Sequence, residues 1–273
     1  MRRRPTSVAG RWYSDDSREL TADVDRYVAA ANFDPIEGPV LAIVAPHAGL
    51  MYSGPVAAFA YKAAAGSGCT SAVLVGPSHY VPFHGVSIWP DGTWDTPLGD
   101  VVIDAELARA IHAASDTVVD RPAAHGREHS LEMQLPFVAR LLPGIPIVPL
   151  VMGHQTRDNA FALGDALARV VAARAGRTLL VASSDLSHYE DSTTAQALDA
   201  VVLRHVESLD PAGLMRALET EPRHACGGGP MVSVLEAARR LGASRAHVLE
   251  YADSGDVSGD KSSVVGYMAA AIW

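Results

Sequence analysis

The sequence predicts a single α/β domain built in three layers, helix over sheet over helix. Two observations carry that expectation. Apolar runs of strand length alternate along the chain with amphipathic stretches of helix length, the signature of an α/β fold. Three of those runs also end alike, with a histidine just past the strand. They are Ile43 to His47, Val73 to His79 and Leu179 to His188, the last with Asp185 added. In open α/β sheets ligands bind beyond the carboxyl ends of the strands, so three such exits point to one site.

Composition narrows the class. The chain has 273 residues, 48% of them hydrophobic and 19% charged, which suits a core-rich globular protein. A length in this range allows one large domain that buries roughly three quarters of its unfolded surface. The net charge of −9 argues against nucleic acid as a partner, because phosphate binding needs a basic face. The basic start, Met1 to Arg4, is not followed by the apolar run of a signal peptide, so a cytoplasmic location is expected. No apolar stretch is long enough to cross a membrane. Two cysteines, Cys69 and Cys226, make no disulfide framework and are expected as thiols.

The elements follow in order. A polar-aromatic lead-in over residues 6–14 precedes a helix at about 17–31, capped by Asp15, Asp16 or Ser17, with Leu20, Val24, Tyr27 and Val28 on one face. Strand 40–45 comes next. Ser53, Gly54 and Pro55 open an alanine-rich helix to about Ala65. Strand 72–76 follows, then short strands at 85–89 and 93–96 around the turn Pro90-Asp91-Gly92. Helix 104–115, a polar loop over 121–130, a helix from Leu131 to Leu142 and strand 145–152 are next. Then come helix 156–173, strand 178–183, helices 192–207 and 210–219, and a helix from Cys226-Gly227-Gly228-Gly229-Pro230 to about Leu241. Strand 246–251, an Asp/Ser/Gly loop over 252–262 and strand 263–272 end the chain.

The chemistry lies at the strand exits. His47 and His79 are 32 residues apart. That is close to one strand–helix–strand unit of about 30 residues, which places both histidines on the same edge of a parallel sheet. Adjacent strands lie about 4.8 Å apart, so the two rings could share one metal ion. Either histidine alone reads as an ordinary loop residue; the matched pair favours the site. Asp185 could orient a histidine and His188 could act as a general base, or Asp185 and Ser187 could form an Asx-type turn with His188 at the surface. Cys226 precedes three glycines and a helix start, a setting that favours a thiolate as metal ligand or nucleophile. The alternative is a small buried residue. In Glu128-His129-Ser130-Leu131-Glu132, His129 and Glu132 share a helix face at spacing three; the alternative, Ser130 as N-cap, accounts for Ser130 and Glu132 but not for His129. Asp253, Asp256 and Asp260 look calcium-like but lack the full spacing and terminal glutamate of a calcium loop, and are expected in a solvated or site-rim loop. Cys69 receives no role.

These stretches together resemble a known family. Ala45-Pro46-His47-Ala48-Gly49, Gly76-Pro77-Ser78-His79, Glu128-His129-Ser130-Leu131-Glu132, Ser183-Ser184-Asp185-Leu186-Ser187-His188 and Cys226-Gly227 occur in this order in the Memo family. So do the lead-in Ala9-Gly10-Arg11-Trp12-Tyr13 and the ending Ser262 to Tyr267. Bacterial and archaeal members are called AmmeMemoRadiSam system protein B, which implies AMMECR-like and radical-SAM partner proteins. The family in turn is similar to class III extradiol non-haem iron dioxygenases, with a LigB-like mixed sheet. The resemblance implies a metal, iron or copper, held by His47, His79 and Cys226, with His188 as acid/base and Asp185 and His129 lining the pocket. Where the dioxygenases use a carboxylate, this chain has Cys226, a softer donor that also admits zinc. A metal-dependent redox role on a small-molecule substrate is therefore expected. The alternatives are a metal-free cysteine hydrolase or transferase with Cys226 as nucleophile, and a non-catalytic binding component of the AmmeMemoRadiSam set.

Overall fold

Strands that are apolar on both faces need cover on both sides, and this requirement sets the architecture. The structure, a computed structural model, describes residues 2–273. The chain begins with strand β1 (Arg3–Arg4) and helix α1 (Ser17–Ala30), where the Asp16 carboxylate accepts the backbone N–H groups of Arg18 and Glu19. Strand β2 (Ala42–Ala45), helix α2 (Leu50–Ala65) and strand β3 (Ser71–Pro77) follow. Short strands β4 (Val86–Ile88), β5 (Thr93–Trp94) and β6 (Val101–Val102) lead to helix α3 (Ala105–Ala114) and strand β7 (Val118–Val119). A helical turn α4 (Ala123–Gly126) and a 3-10 turn (Glu132–Gln134) precede α5 (Leu135–Leu141) and β8 (Ile147–Met152). Next come α6 (Arg157–Ala172), β9 (Thr178–Ser183), β10 (His188–Glu190), α7 (Ser192–Glu207), α8 (Pro211–Thr220) and α9 (Gly228–Arg240). Strand β11 (Ala246–Asp253), a helical turn α10 (Gly255–Ser258) and β12 (Val264–Ile272) complete the fold.

Nine strands form one mixed sheet in the order β10-β12-β2-β9-β3-β8-β4-β7, with β11 also paired to β12. The central four, β2, β9, β3 and β8, are parallel; β12 and β4 pair antiparallel at their flanks. Alternate residues of these strands go to opposite cores. Ile43, Leu74 and Val181 pack with Leu20, Val24, Tyr61 and Phe137 of α1, α2 and α5. Val44, Val73 and Leu180 pack with Leu107, Leu163, Val202, Leu214 and Val232 of α3, α6, α7, α8 and α9. The expected three-layer α/β/α arrangement is therefore present.

Several details differ from the sequence reading. The strands carrying His47 and His79 are parallel but not neighbours, because β9 is inserted between β2 and β3. Helix α2 starts at Leu50, ahead of Gly54 and Pro55. Gly54 instead lies where α1 crosses α2, and a Cβ there would be 2.9 Å from the Tyr27 ring. The strands on either side of Pro90-Asp91-Gly92 also part company: β4 joins the large sheet, while β5 pairs with β1 and β6 in a separate three-stranded sheet. The turn backbone runs against the amino-terminal strand. Gly92 has φ 96°, and a Cβ there would sit 1.8 Å from the Arg2 carbonyl oxygen, so only glycine fits.

A buried ion pair fastens the amino-terminal segment. The Glu132 carboxylate, fully buried, accepts from the Arg4 guanidinium at 2.8 Å, the Ser7 N–H at 2.8 Å, the Val8 N–H at 2.9 Å and the Tyr13 hydroxyl at 3.0 Å. Arg4 also donates to the carbonyls of His125 and Glu128 and lies 4.3 Å from the Trp94 ring. The alternative of a Ser130 cap is not realised; the Ser130 hydroxyl donates to the Pro77 carbonyl. Removing one partner of a buried pair leaves an uncompensated charge. Glu132→Ala is therefore expected to lower unfolding stability by about 3–5 kcal/mol in denaturant titration, whereas loss of an exposed pair such as Arg140–Asp25 should cost under about 1 kcal/mol.

Candidate metal centre

The strand exits meet at one cavity of about 470 Å³. Trp12, His47, His79, His129, Asp185, His188 and Cys226 all line it. The six site residues expected from sequence thus come together, with Trp12 as an addition. The ligand-capable atoms of His47, His79 and Cys226 lie within 4.8 Å of one another, as do those of Asp185, His188 and Cys226. The His47 Nε2 atom is 3.2 Å from Cys226 Sγ.

Hydrogen bonding fixes which nitrogen of each ring carries the proton. The Ser183 hydroxyl gives its only proton to the Ser130 carbonyl at 2.6 Å. It must then accept from His47 Nδ1, 2.9 Å away, and from Gln134 Nε2 at 2.7 Å. Gln134 is itself oriented, since Nε2 also donates to the Pro46 carbonyl and Oε1 accepts from the Tyr61 hydroxyl. His79 donates Nδ1–H to the Glu128 carboxylate at 2.8 Å, and His188 donates Nδ1–H to the Leu186 carbonyl at 2.8 Å. In neutral His47, His79 and His188 the lone pair is therefore on Nε2.

Burial tunes the charges. His47 is held well below the ordinary histidine pKa, first by burial and then by the neighbouring His79. His129 is lowered to about 4 by burial and by repulsion from His47 and His79. Burial pushes Glu128 upward, but hydrogen bonds from the His79 ring and backbone outweigh it and bring the carboxyl down to about 2. Burial raises Asp185, partly offset by backbone donors. That carboxylate accepts the His47 N–H at 2.6 Å and the Ala48 N–H at 3.3 Å, so it fixes the β2 exit through the backbone, and its hydrogen bonds go there instead of to the His188 ring. Burial, and next the charge of Asp185, push the Cys226 thiol upward. The thiolate-favouring effect expected at the helix start is thus outweighed in the metal-free chain.

The glycines after Cys226 allow close packing. A Cβ on Gly227 would lie 2.5 Å from the Ser183 carbonyl oxygen, and one on Gly228 2.5 Å from a Leu218 methyl. Cys226 is pinned to the β9 exit from both sides: its N–H donates to the Asp185 carbonyl at 3.2 Å, and the Asp185 N–H points to Sγ at 3.3 Å.

Several residues in or behind the pocket carried no local signal for a site in the sequence. Trp12 stands 4.4 Å from the His129 ring, positioned by the clamped amino-terminal segment. Glu128 contacts His79 across a separation of 49 residues, which no local pattern announces. Tyr189 is 76% exposed at the mouth with φ 64°, a left-handed conformation uncommon for a bulky side chain. Arg223, also on the rim, is bracketed by Glu190 and Glu221. Elsewhere, Lys261 pairs with Asp253, which is buried and not solvated, and with Asp256, so a lysine ammonium already serves two of the three loop carboxylates, while Asp260 accepts from Ser262. Cys69 and Cys226 are both free thiols, and Cys69 packs against the core.

A family model described as Memo-like protein matches residues 4–271. The chain belongs to the Memo family. It is 38% identical to a MEMO1 family protein of Pyrobaculum aerophilum over 274 residues, covering 98% of each chain. It is also 38% identical to one from Methanopyrus kandleri over 278 residues, again covering 98% of each. A Sulfolobus acidocaldarius member is 41% identical over 228 residues, 83% of this chain and 80% of that one. Among solved structures, an uncharacterized protein from Escherichia coli K12 superposes with a TM-score of 0.54 at 16% identity, covering 83% of this chain and 98% of that one. That likeness shows the fold of this Memo-family chain alone. Among the described residues no helix is long and apolar enough to cross a membrane.

Two outcomes follow for this Memo-family chain. Gly227→Ala forces overlap with β9 and is expected to cost about 1–3 kcal/mol of stability, read as a lowered denaturant midpoint. His129, with a folded pKa near 4 against about 6.5 unfolded, binds its proton more readily in the unfolded chain. Its contribution is complete above about pH 6.5 and is lost as pH falls toward 4, on the order of 3 kcal/mol. A series of denaturant titrations across that range should show a shallower fall in His129→Gln than in the unmodified metal-free chain.

Proposed function

We propose that this Memo-family protein binds a redox-active metal, iron or copper, through His47, His79 and Cys226, and uses it in dioxygenase-like redox chemistry on a small molecule. The observation that carries the reading is the donor set itself. Two imidazoles held as Nδ1–H, with the lone pair on Nε2, stand with a cysteine sulfur within mutual ligand reach. Such a set fits a transition metal: imidazole suits iron, copper and zinc, and a soft thiolate favours Cu(I), zinc or iron over magnesium or calcium. A metal beside Cys226 would also stabilise the thiolate that burial otherwise disfavours.

When bound, iron or copper would supply redox chemistry and Lewis acidity. The chain's own residues supply the rest. His188, with Nδ1–H committed to Leu186, has Nε2 to accept a proton from a substrate and return it. Asp185 holds the His47 backbone in place, and Trp12 and His129 wall the pocket. A reducing cytoplasm, with AMMECR-like and radical-SAM proteins as partners, completes the proposal.

The metal-free cysteine hydrolase reading is less well supported. The ring nitrogen hydrogen-bonded to the sulfur belongs to His47, not His188, and the thiol pKa moves up. The test is metal content after anaerobic purification. The unmodified chain is expected to carry iron or copper, and His47→Ala, His79→Ala and Cys226→Ala to lose most of it. Equal content in all four proteins contradicts the proposal.

A further inference from the structure

We propose that Glu128 is the positioning residue that fixes His79 as a metal ligand and makes it electronically unlike His47, an inference that rests on the metal-binding reading above. The Glu128 carboxylate is 1% exposed and accepts four N–H groups. The His79 backbone N–H reaches Oε2 at 2.6 Å. On Oε1, the His79 ring Nδ1–H arrives at 2.8 Å, and the backbone N–H groups of His129 and Ser130 each arrive at 2.9 Å. One side chain therefore fixes both the backbone and the ring of His79 and ties the β3 exit to the segment that carries His129.

A plain turn-capping role explains only part of this arrangement. It accounts for the bonds from His129 and Ser130 but not for the two from His79. Charge supplies a second argument. Buried carboxylates are normally paired with a cation. Glu132, four residues on, has Arg4. The only ion-pair partners of the Glu128 carboxylate among the described residues are the rings of His79 and His129, neither of which is a permanent cation. A metal cation on the far nitrogen of His79 would supply the missing positive charge through the ring, in the carboxylate–histidine–metal arrangement. His47 differs, since its Nδ1–H goes to the neutral Ser183 hydroxyl. Under this inference His79 is the more strongly electron-donating ligand of the two, and Glu128 is the cause.

Two readouts on the full chain test it. In the metal-free protein, proton–nitrogen correlation spectra of the histidine rings are expected to show His79 as the Nδ1–H tautomer. Zinc affinity, measured by chelator competition, should fall about 10–100-fold in Glu128→Gln, while Glu128→Asp, which keeps the charge on a shorter stem, should fall less. An Nε2–H ring at His79, or a folded Glu128→Gln chain that binds zinc as tightly as the unmodified one, overturns the inference. Failure of the metal reading itself looks different, because the unmodified chain would then take up no zinc. The tautomer measurement needs no variant, so it decides the grip of Glu128 on His79 even if Glu128→Gln does not fold.

Discussion

The Ser183 hydroxyl is the junction on which the site depends. It sits fully buried at the carboxyl end of β9, the strand inserted between those that carry His47 and His79. Its proton goes to the Ser130 carbonyl, and its lone pairs receive the His47 ring and Gln134. Three chain segments, the exits of β2 and β9 and the turn before α5, thus share one oxygen. Because a hydroxyl has only one proton to give, the arrangement permits a single tautomer of His47. A local hydrogen-bond count at Ser183 in this way fixes the direction of the lone pair available for chemistry.

The second histidine is handled differently. His79 leans on the Glu128 carboxylate, and the rings of His79 and His129 stack at 4.4 Å. Three histidine rings within about 6 Å of each other repel when protonated, and burial adds to the cost. His47 and His129 are therefore pushed toward the neutral form, the state in which imidazole can ligate. Cys226 completes the set from a distant part of the chain, and the glycines behind it let α9 approach β9 closely enough to place the sulfur. The amino-terminal segment closes the pocket with Trp12, and the Glu132–Arg4 pair holds it there.

Much of this was legible in the sequence because strand exits have a local grammar. The apolar runs before His47, His79 and Asp185 gave the central parallel strands, and the 32-residue spacing correctly put both histidines on one sheet edge. Strand order was not legible: nothing local tells β9 to lie between β2 and β3, because strand pairing joins segments far apart in the chain. The capping pattern at Ser130 misled for a related reason. Glu132 is used by the amino terminus, 125 residues away at Ser7, and long-range partners of this kind leave no spacing to read. Glu128 was overlooked on the same account. The effect of the helix start on Cys226 was expected from its position, but burial, which only the folded chain reveals, is the larger influence.

The central claim is that Cys226 and the two histidines act together as one ligand set. Cobalt(II) substitution of the metal-free chain tests this directly, since a thiolate bound to cobalt gives a ligand-to-metal charge-transfer band in the near ultraviolet. The account predicts that band in the unmodified protein and its loss in Cys226→Ser, with cobalt binding weakened in His47→Ala and His79→Ala. Cobalt uptake without the band, or a band that survives in Cys226→Ser, would contradict it.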